Sequence, residues 1–198
     1  SAMQQREDLF NFALNNGANV KYINKEGQNA YHWASNGYNP ILFKNLLDKN
    51  NSLEILNKSD NLGKTPLHFA AANGNLEILD LLLKNNVNIY INDKDGRSPL
   101  FYALVYGKYE AALVLIQKGA DLTLVDKNGT SIEDLILNSN IDMFQMSYKY
   151  LPKDIQEKIF KILKDSPHIA YNLVNHNVTY EKIKEIEKNT IDVNEDFL

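Results

Sequence analysis

Residues 60–75, DNLGKTPLHFAAANGN, return twice downstream in altered form. DKDGRSPLFYALVYGK begins at residue 93 and DKNGTSIEDLILNSNI at residue 126, so Asp60, Asp93 and Asp126 are spaced by 33 residues. Upstream, residues 24–37 (NKEGQNAYHWASNG) match with one residue fewer, and about four residues are added before the next unit begins. A fixed period of this length is typical of a solenoid in which each unit packs on its neighbours.

Each unit predicts a tight turn followed by two helices. Asp-x-x-Gly suits the turn, and Thr65-Pro66 suits the N-cap and first position of the first helix. That helix is expected to end at Gly74, and the second helix, residues 76–85, at Asn86. Glycine and asparagine are the residues that best tolerate a left-handed C-cap. The equivalent predicted stops are Gly37, Gly107 and Asn140 for first helices, and Gly17 and Gly119 for second helices.

TPLHFAAANGNLEILDLLLKN and KGADLTLVDKNG are similar to the ankyrin repeat. The resemblance covers about residues 4–150 and implies an all-α fold: an ankyrin-repeat α-solenoid of stacked helix-turn-helix units with hairpin fingers, plus C-terminal capping helices. Residues 1–3 are similar to the remnant of an expression tag. The resemblance divides the rest of the chain into a partial unit at 4–24, units at about 25–59, 60–92, 93–125 and 126–151, and C-terminal helices at 152–198, with a degenerate repeat at 166–194.

The C-terminal region leaves two interpretations open. PKDIQEKIFKILK (152–164) has an apolar helical face and predicts a helix that caps the repeats. YLPKDIQEKIFKIL also resembles F-box and F-box-like segments, which recruit a cullin-type ubiquitin ligase, although the sequence after Asp165 departs from that pattern. The second interpretation makes the chain a substrate adaptor that engages the ligase through residues 150–165.

The residue types of an active site are present in the repeat, since His68 stands beside Thr65 and near Asp60. His32 holds the same slot one unit earlier, and in ankyrin repeats this histidine is a framework residue that bonds within the turn and to adjacent backbone. No phosphate-binding loop or nucleophile motif occurs, and the two C-terminal histidines lack the spacing of a metal site. We therefore expect no enzyme, no metal and no cofactor.

Bulk composition excludes further classes. The chain of 198 residues has no cysteine, which rules out disulfides, thiolate metal sites and a cysteine nucleophile. A net charge of −4 gives no reason to expect nucleic acid or anionic membrane as a partner. No apolar run approaches the ~18 residues that span a bilayer, and the start, SAMQQRED, is unlike a signal peptide. We expect a monomer in the cytoplasm. The architecture also resembles effector proteins of intracellular bacteria, which would place the chain in a host cytosol.

The resemblance places the binding surface on the concave side of the solenoid, at the finger tips and the ends of the first helices, and implies another protein as the partner. Leu62, Val105 and Tyr106 are apolar side chains at positions expected to face solvent. An alternative makes these repeats the targeting fragment of a larger enzyme or effector. Among the predicted partner-binding residues, cations outnumber acids by five to two. Counting the three turn aspartates makes the two numbers equal. The predicted partner-binding residues are Lys25, Glu26, Gln28, Asn61, Leu62, Lys64, Asn73, Lys94, Asp95, Arg97, Val105, Tyr106, Lys127, Asn128 and Thr130.

Overall fold

The computed structural model describes residues 12–13, 16–37 and 39–137, all within one compact unit. Several sequence predictions lie outside the described residues. They are the helix stop at Asn140, the end of the unit at 126–151, the helices at 152–198, the degenerate repeat at 166–194 and the F-box-like segment at 150–165.

Helices alternate along the chain in the predicted pairs. A first helix of seven or eight residues is followed, after a short turn, by a second helix of nine or ten. The residues added upstream of Asp60 hold one further short helix, whose Ile55 and Leu56 are buried. The described residues contain α1 (Ala30–Asn36), α2 (Pro40–Lys49), α3 (Leu53–Leu56), α4 (Pro66–Asn73), α5 (Leu76–Lys84), α6 (Pro99–Val105), α7 (Tyr109–Gln117) and α8 (Ile132–Leu137).

The helices pack in two rows. First helices lie side by side in the order α1, α4, α6, α8, and second helices follow the same order as α2, α5, α7. The core between the rows is formed by fully buried side chains such as Leu67 of α4 and Leu79 and Leu82 of α5. Burial of each such leucine contributes about 1.5–3 kcal/mol. This arrangement confirms the predicted all-α ankyrin solenoid, in which neighbouring units cover each other's apolar faces.

A side-chain oxygen of aspartate or asparagine organises the turn that opens each unit. Asp60 Oδ1 accepts hydrogen bonds from the backbone N–H groups of Leu62 and Lys64, at 2.9 Å each. Because one oxygen holds both donors, the chain reverses within four residues and places the next helix at a fixed distance. The same two bonds are made by Asn24, Asp93 and Asp126 in the other units.

Backbone hydrogen bonds join each finger to the next one. The Asn61 N–H donates to the Glu26 carbonyl at 2.8 Å, and the Lys94 N–H donates to the Leu62 carbonyl at 2.9 Å. The Lys127 N–H continues the series to the Asp95 carbonyl at 2.9 Å. The fingers therefore stack as the ankyrin resemblance implies, and residues at their tips keep a constant spacing from unit to unit.

Left-handed residues end most helices where the sequence predicts them. Gly74 has φ 68° after α4, and Asn86 has φ 56° after α5. Gly37 ends α1 as predicted, but the left-handed conformation expected there is wrong, because this residue is extended, with φ −89° and ψ 162°. The cap of α1 and the cap of α2, Asn29 and Asn39, are ten residues apart, as are the caps of α4 and α5. No residue is missing, and Gly37 holds the slot of Asn73. Gly17, Gly107 and Gly119 have positive φ as expected.

Candidate protein-binding surface

Both described histidines belong to the scaffold. The Thr65 N–H donates to His68 Nδ1 at 3.0 Å, so Nε2 carries the proton and donates to the Arg97 carbonyl of the next finger at 3.1 Å. Burial lowers the pKa of His68 to about 4, which keeps the ring neutral at neutral pH. His32 repeats the pattern with Asn29 and Lys64. With both nitrogens occupied, neither ring can serve as a general base, and the predicted framework role is confirmed.

A cleft of about 290 Å³ lies along the first helices α1, α4 and α6 of three successive units. It brings together three residues that the sequence predicts as partner-binding, on α4, on its preceding finger and after α6. Aromatic and amide side chains from the same helices complete its wall. Its lining includes Asn36, Lys64, Phe69, Asn73, Tyr102 and Tyr106.

Two tyrosines and a lysine form the centre of the cleft. The rings of Tyr102 and Tyr106 stack with centroids 6.2 Å apart, and the Lys64 Nζ lies 4.6 Å from the centroid of the Tyr102 ring. Tyr102 is buried, whereas Tyr106 is 58% exposed. A cation over a tyrosine face is attracted by about 0.5–1 kcal/mol or more, depending on its solvation. The cleft thus presents an aromatic surface with one positive charge, that of Lys64, beside it.

An aromatic residue occurs at the same slot of three successive first helices, four residues after each cap. Trp33, Phe69 and Tyr102 hold this slot in α1, α4 and α6. Phe69 packs edge-on against His32, with ring centroids 5.8 Å apart, and Tyr102 packs against His68 at the same distance. Trp33 is 58% exposed. The sequence interpretation missed this column, although aligning the units on their caps would have found it.

A family described as ankyrin repeats (three copies) matches residues 1–93 and 42–126. The chain belongs to the ankyrin-repeat family. Ankyrin repeats are generally protein-interaction modules without catalysis.

Relatives share part of the ankyrin-repeat region. Inversin from Mus musculus is 33% identical over 85 residues, which cover 41% of this chain and 8% of inversin. Human inversin is 32% identical over the same length and shares. Alpha-latrotoxin-Lg1a from Latrodectus geometricus is 30% identical over 80 residues, which cover 40% of this chain and 6% of the toxin. The chain thus spans less than a tenth of these relatives.

Some predicted binding residues are engaged within the ankyrin scaffold. The Gln28 Nε2 donates to Asp60 Oδ2 at 3.3 Å, and the Arg97 Nε donates to Asp126 Oδ2 at 2.9 Å. Asp126 is buried, but bonds from the Thr130 and Asn128 N–H groups and from Arg97 outweigh that burial and lower its pKa. Arg97 is therefore held in the array, and it is not a free cation at the surface.

The remaining predicted residues face solvent, wholly or in part. Leu62, Val105 and Tyr106 are 60%, 49% and 58% exposed, so the expectation that these apolar side chains face solvent is confirmed. Asn61 also donates its amide to the Lys25 carbonyl of the previous finger at 2.8 Å. The other exposed members are Lys25, Glu26, Lys94, Asp95, Lys127 and Asn128, and Thr130 is partly exposed. Their role in binding stays a prediction.

Two negative findings apply to the described part of this ankyrin array. Its His, Asp and Glu side chains form no group of three that could hold a metal ion. None of its helices combines the length and the apolar character needed to cross a bilayer.

Proposed function

We propose that this chain binds a partner protein through the concave face and finger tips of its ankyrin repeats and carries out no catalysis of its own. The observation that carries the proposal is the pair of exposed aromatic side chains on the first-helix row, Trp33 and Tyr106. Packing explains the other aromatic members of the row, because Phe69 and Tyr102 contact the histidine of the preceding unit.

Exposed tryptophan and tyrosine side chains on the first-helix row are suited to contact with a partner protein. Large aromatic rings bury much apolar area when a partner covers them, and Trp, Tyr and Arg dominate interface hot spots. Tyr106 stacks on a buried tyrosine and is therefore held rigid, so it loses little side-chain entropy on binding. A rigid aromatic residue at the edge of a cleft is a suitable anchor for a protein partner.

Affinity purification with the intact chain tests the proposal. We expect Trp33→Ala and Tyr106→Ala each to reduce recovery of the partner, because each removes an anchor. Melting temperatures should change by only a few degrees, because both side chains are more than half exposed. Tyr90→Ala is the matched control, since Tyr90 is 61% exposed and lies outside the cleft. A partner recovered equally by all variants would show that it binds elsewhere.

The same purification tests the adaptor alternative. That alternative is supported by the sequence likeness at residues 150–165. It requires cullin-ligase subunits among the recovered proteins and their loss on Ile159→Asp. Recovery of a partner without any ligase subunit would contradict the adaptor and leave the binding proposal in place. An enzymatic part attached to these repeats in a larger protein is tested by the length of the native protein.

A further inference from the structure

Gln28, Lys64 and Arg97 hold the same slot, directly before the cap of each first helix. In two of the three units this side chain bonds to the turn aspartate of the next unit. Gln28 bonds to Asp60 and Arg97 bonds to Asp126, each through the Oδ2 atom. The slot thus has a structural role, which is to satisfy the second oxygen of a buried carboxylate.

Lys64 departs from this pattern because another group fills its place. The hydroxyl of Tyr102 donates to Asp93 Oδ2 at 2.6 Å, and Asp93 Oδ1 accepts from the N–H groups of Asp95 and Arg97 at 2.9 Å. With both oxygens occupied, the lysine ammonium lies over the Tyr102 ring on the cleft side. Within the described residues Lys64 forms no ion pair.

An ammonium group offers three N–H donors. Partial burial alone would lower the pKa of Lys64, but its interaction with Tyr102 and the charge of Asp93 raise it above the usual lysine value. The side chain is therefore charged at every physiological pH. It retains donor capacity that the folded chain does not use.

Acidic side chains are separated from the cleft. The first helices α1, α4 and α6 contain no aspartate or glutamate, whereas the second helices carry Asp48, Glu77, Asp80 and Glu110. The carboxylate whose charge acts on Lys64, Asp93, is 7% exposed and accepts three hydrogen bonds within the array. The residues that line the cleft thus supply one cation, Lys64, beside aromatic rings and the amides of Asn36 and Asn73, and they include no acid.

We propose that the cleft binds an extended segment of the partner protein in which an Asp or Glu side chain contacts Lys64 and a neighbouring apolar side chain covers Tyr106. This rests on the proposed function and adds the chemistry of the segment. A carboxylate bonded to a half-buried ammonium forms a charge-assisted hydrogen bond, which is about twice as strong as a neutral one. The apolar neighbour removes the exposed tyrosine ring from water.

Selection from a phage-displayed library of random peptides on the full chain tests the inference. We expect the selected peptides to share an acidic residue next to an apolar or aromatic one. One such peptide is then made with an amidated C-terminus, so that only its side chain supplies the carboxylate. Its Glu→Gln or Asp→Asn counterpart should bind the native chain about tenfold more weakly, as expected for loss of a charge-assisted bond.

A double-mutant cycle assigns that loss to Lys64. In Lys64→Gln, which places the residue of slot 28 at position 64, the acidic and amide peptides should bind equally. The matched control is Lys84→Gln, which removes a charge from the same unit on an exposed side chain of α5 and should keep the tenfold difference. Unchanged melting temperatures of both variants establish that they fold.

The outcomes separate this inference from the proposed function. Peptides that lose affinity on Tyr106→Ala but show no coupling between their carboxylate and Lys64 would overturn the inference and support binding at the cleft. Selected peptides without an acidic residue would also overturn the inference. If no selected peptide responds to Tyr106→Ala or to Lys64→Gln, the inference fails, and the proposed function is decided by partner recovery with Trp33→Ala and Tyr106→Ala.

Discussion

Acidification should destabilise the repeats through His68, and the structure gives the size of the effect. The folded pKa of this ring is about 4, while a histidine in an unfolded chain titrates near 6.5. The unfolded chain therefore binds a proton first as the pH falls. The stability that the neutral ring contributes is complete above about pH 6.5 and is lost progressively as the pH falls toward 4.

The magnitude follows from the difference between the two pKa values. Each pKa unit corresponds to about 1.4 kcal/mol, so the full loss for His68 is about 3 kcal/mol, and about 2 kcal/mol of it is reached by pH 5. A typical domain is stable by about 5–15 kcal/mol, so the loss is a considerable fraction of the whole. His32 acts in the same direction, because burial also lowers its pKa.

Urea unfolding at about pH 7.5 and pH 5, followed by the fluorescence of Trp33, the single tryptophan, measures this loss. His68→Gln should be less stable than the native chain at the higher pH, because two hydrogen bonds change. Between the two pH values it should lose about 2 kcal/mol less, because glutamine does not titrate. Carboxylates titrate in both proteins and cancel in this comparison. Equal losses, or an NMR titration of folded His68 near its unperturbed pKa, would refute the reasoning.

Two further predictions concern the fingers. Gly63→Ala should lower the melting temperature more than Gly129→Ala: both glycines have positive φ, at 86° and 81°, but a Cβ would lie 2.7 Å from the Lys94 nitrogen at position 63 and in open space at position 129. Equal melting temperatures would contradict this. Arg97→Glu should lower the melting temperature more than Lys94→Glu, because it replaces the hydrogen bond to the buried Asp126 with a second carboxylate. A larger loss in Lys94→Glu would show that the Arg97–Asp126 pair does not stabilise the array.

Most of the fold could be predicted from the period, because each unit repeats the same local chemistry. The aspartate turns, the helix pairs and the left-handed stop at Asn86 all follow from side chains acting on their own backbone. The left-handed conformation was predicted for Gly37 because the units were aligned on their glycines, which placed Gly37 in the slot of Gly74. The caps Asn29 and Asn39 determine the register, since each cap binds the first turn of its helix directly.

The cleft could be predicted only in part. Lys64, Asn73 and Tyr106 were identified from the slots at which ankyrin repeats vary, and the structure brings them to one cleft. Trp33 was missed, because its slot belongs to the packed face in the neighbouring units and only the structure shows its exposure. Gln28 was predicted to bind the partner because it is a polar residue at a variable slot. The sequence does not distinguish such a residue that faces solvent from one that bonds to the next unit.

The third unit explains why variable slots and binding slots differ in this chain. In the second unit His68 Nε2 donates to the backbone of the next finger, but Phe101 holds the histidine slot in the third unit and has no such donor. Arg97 bonds to Asp126, as Gln28 bonds to Asp60 in the first unit, and it also lies over the Phe101 ring, 5.4 Å from its centroid. A residue at a variable slot can therefore serve the array itself, and variation alone does not indicate function. The same reasoning identifies Lys64: Tyr102 has taken over the bond to Asp93 that this slot makes elsewhere, and the lysine charge that the array no longer needs faces the cleft.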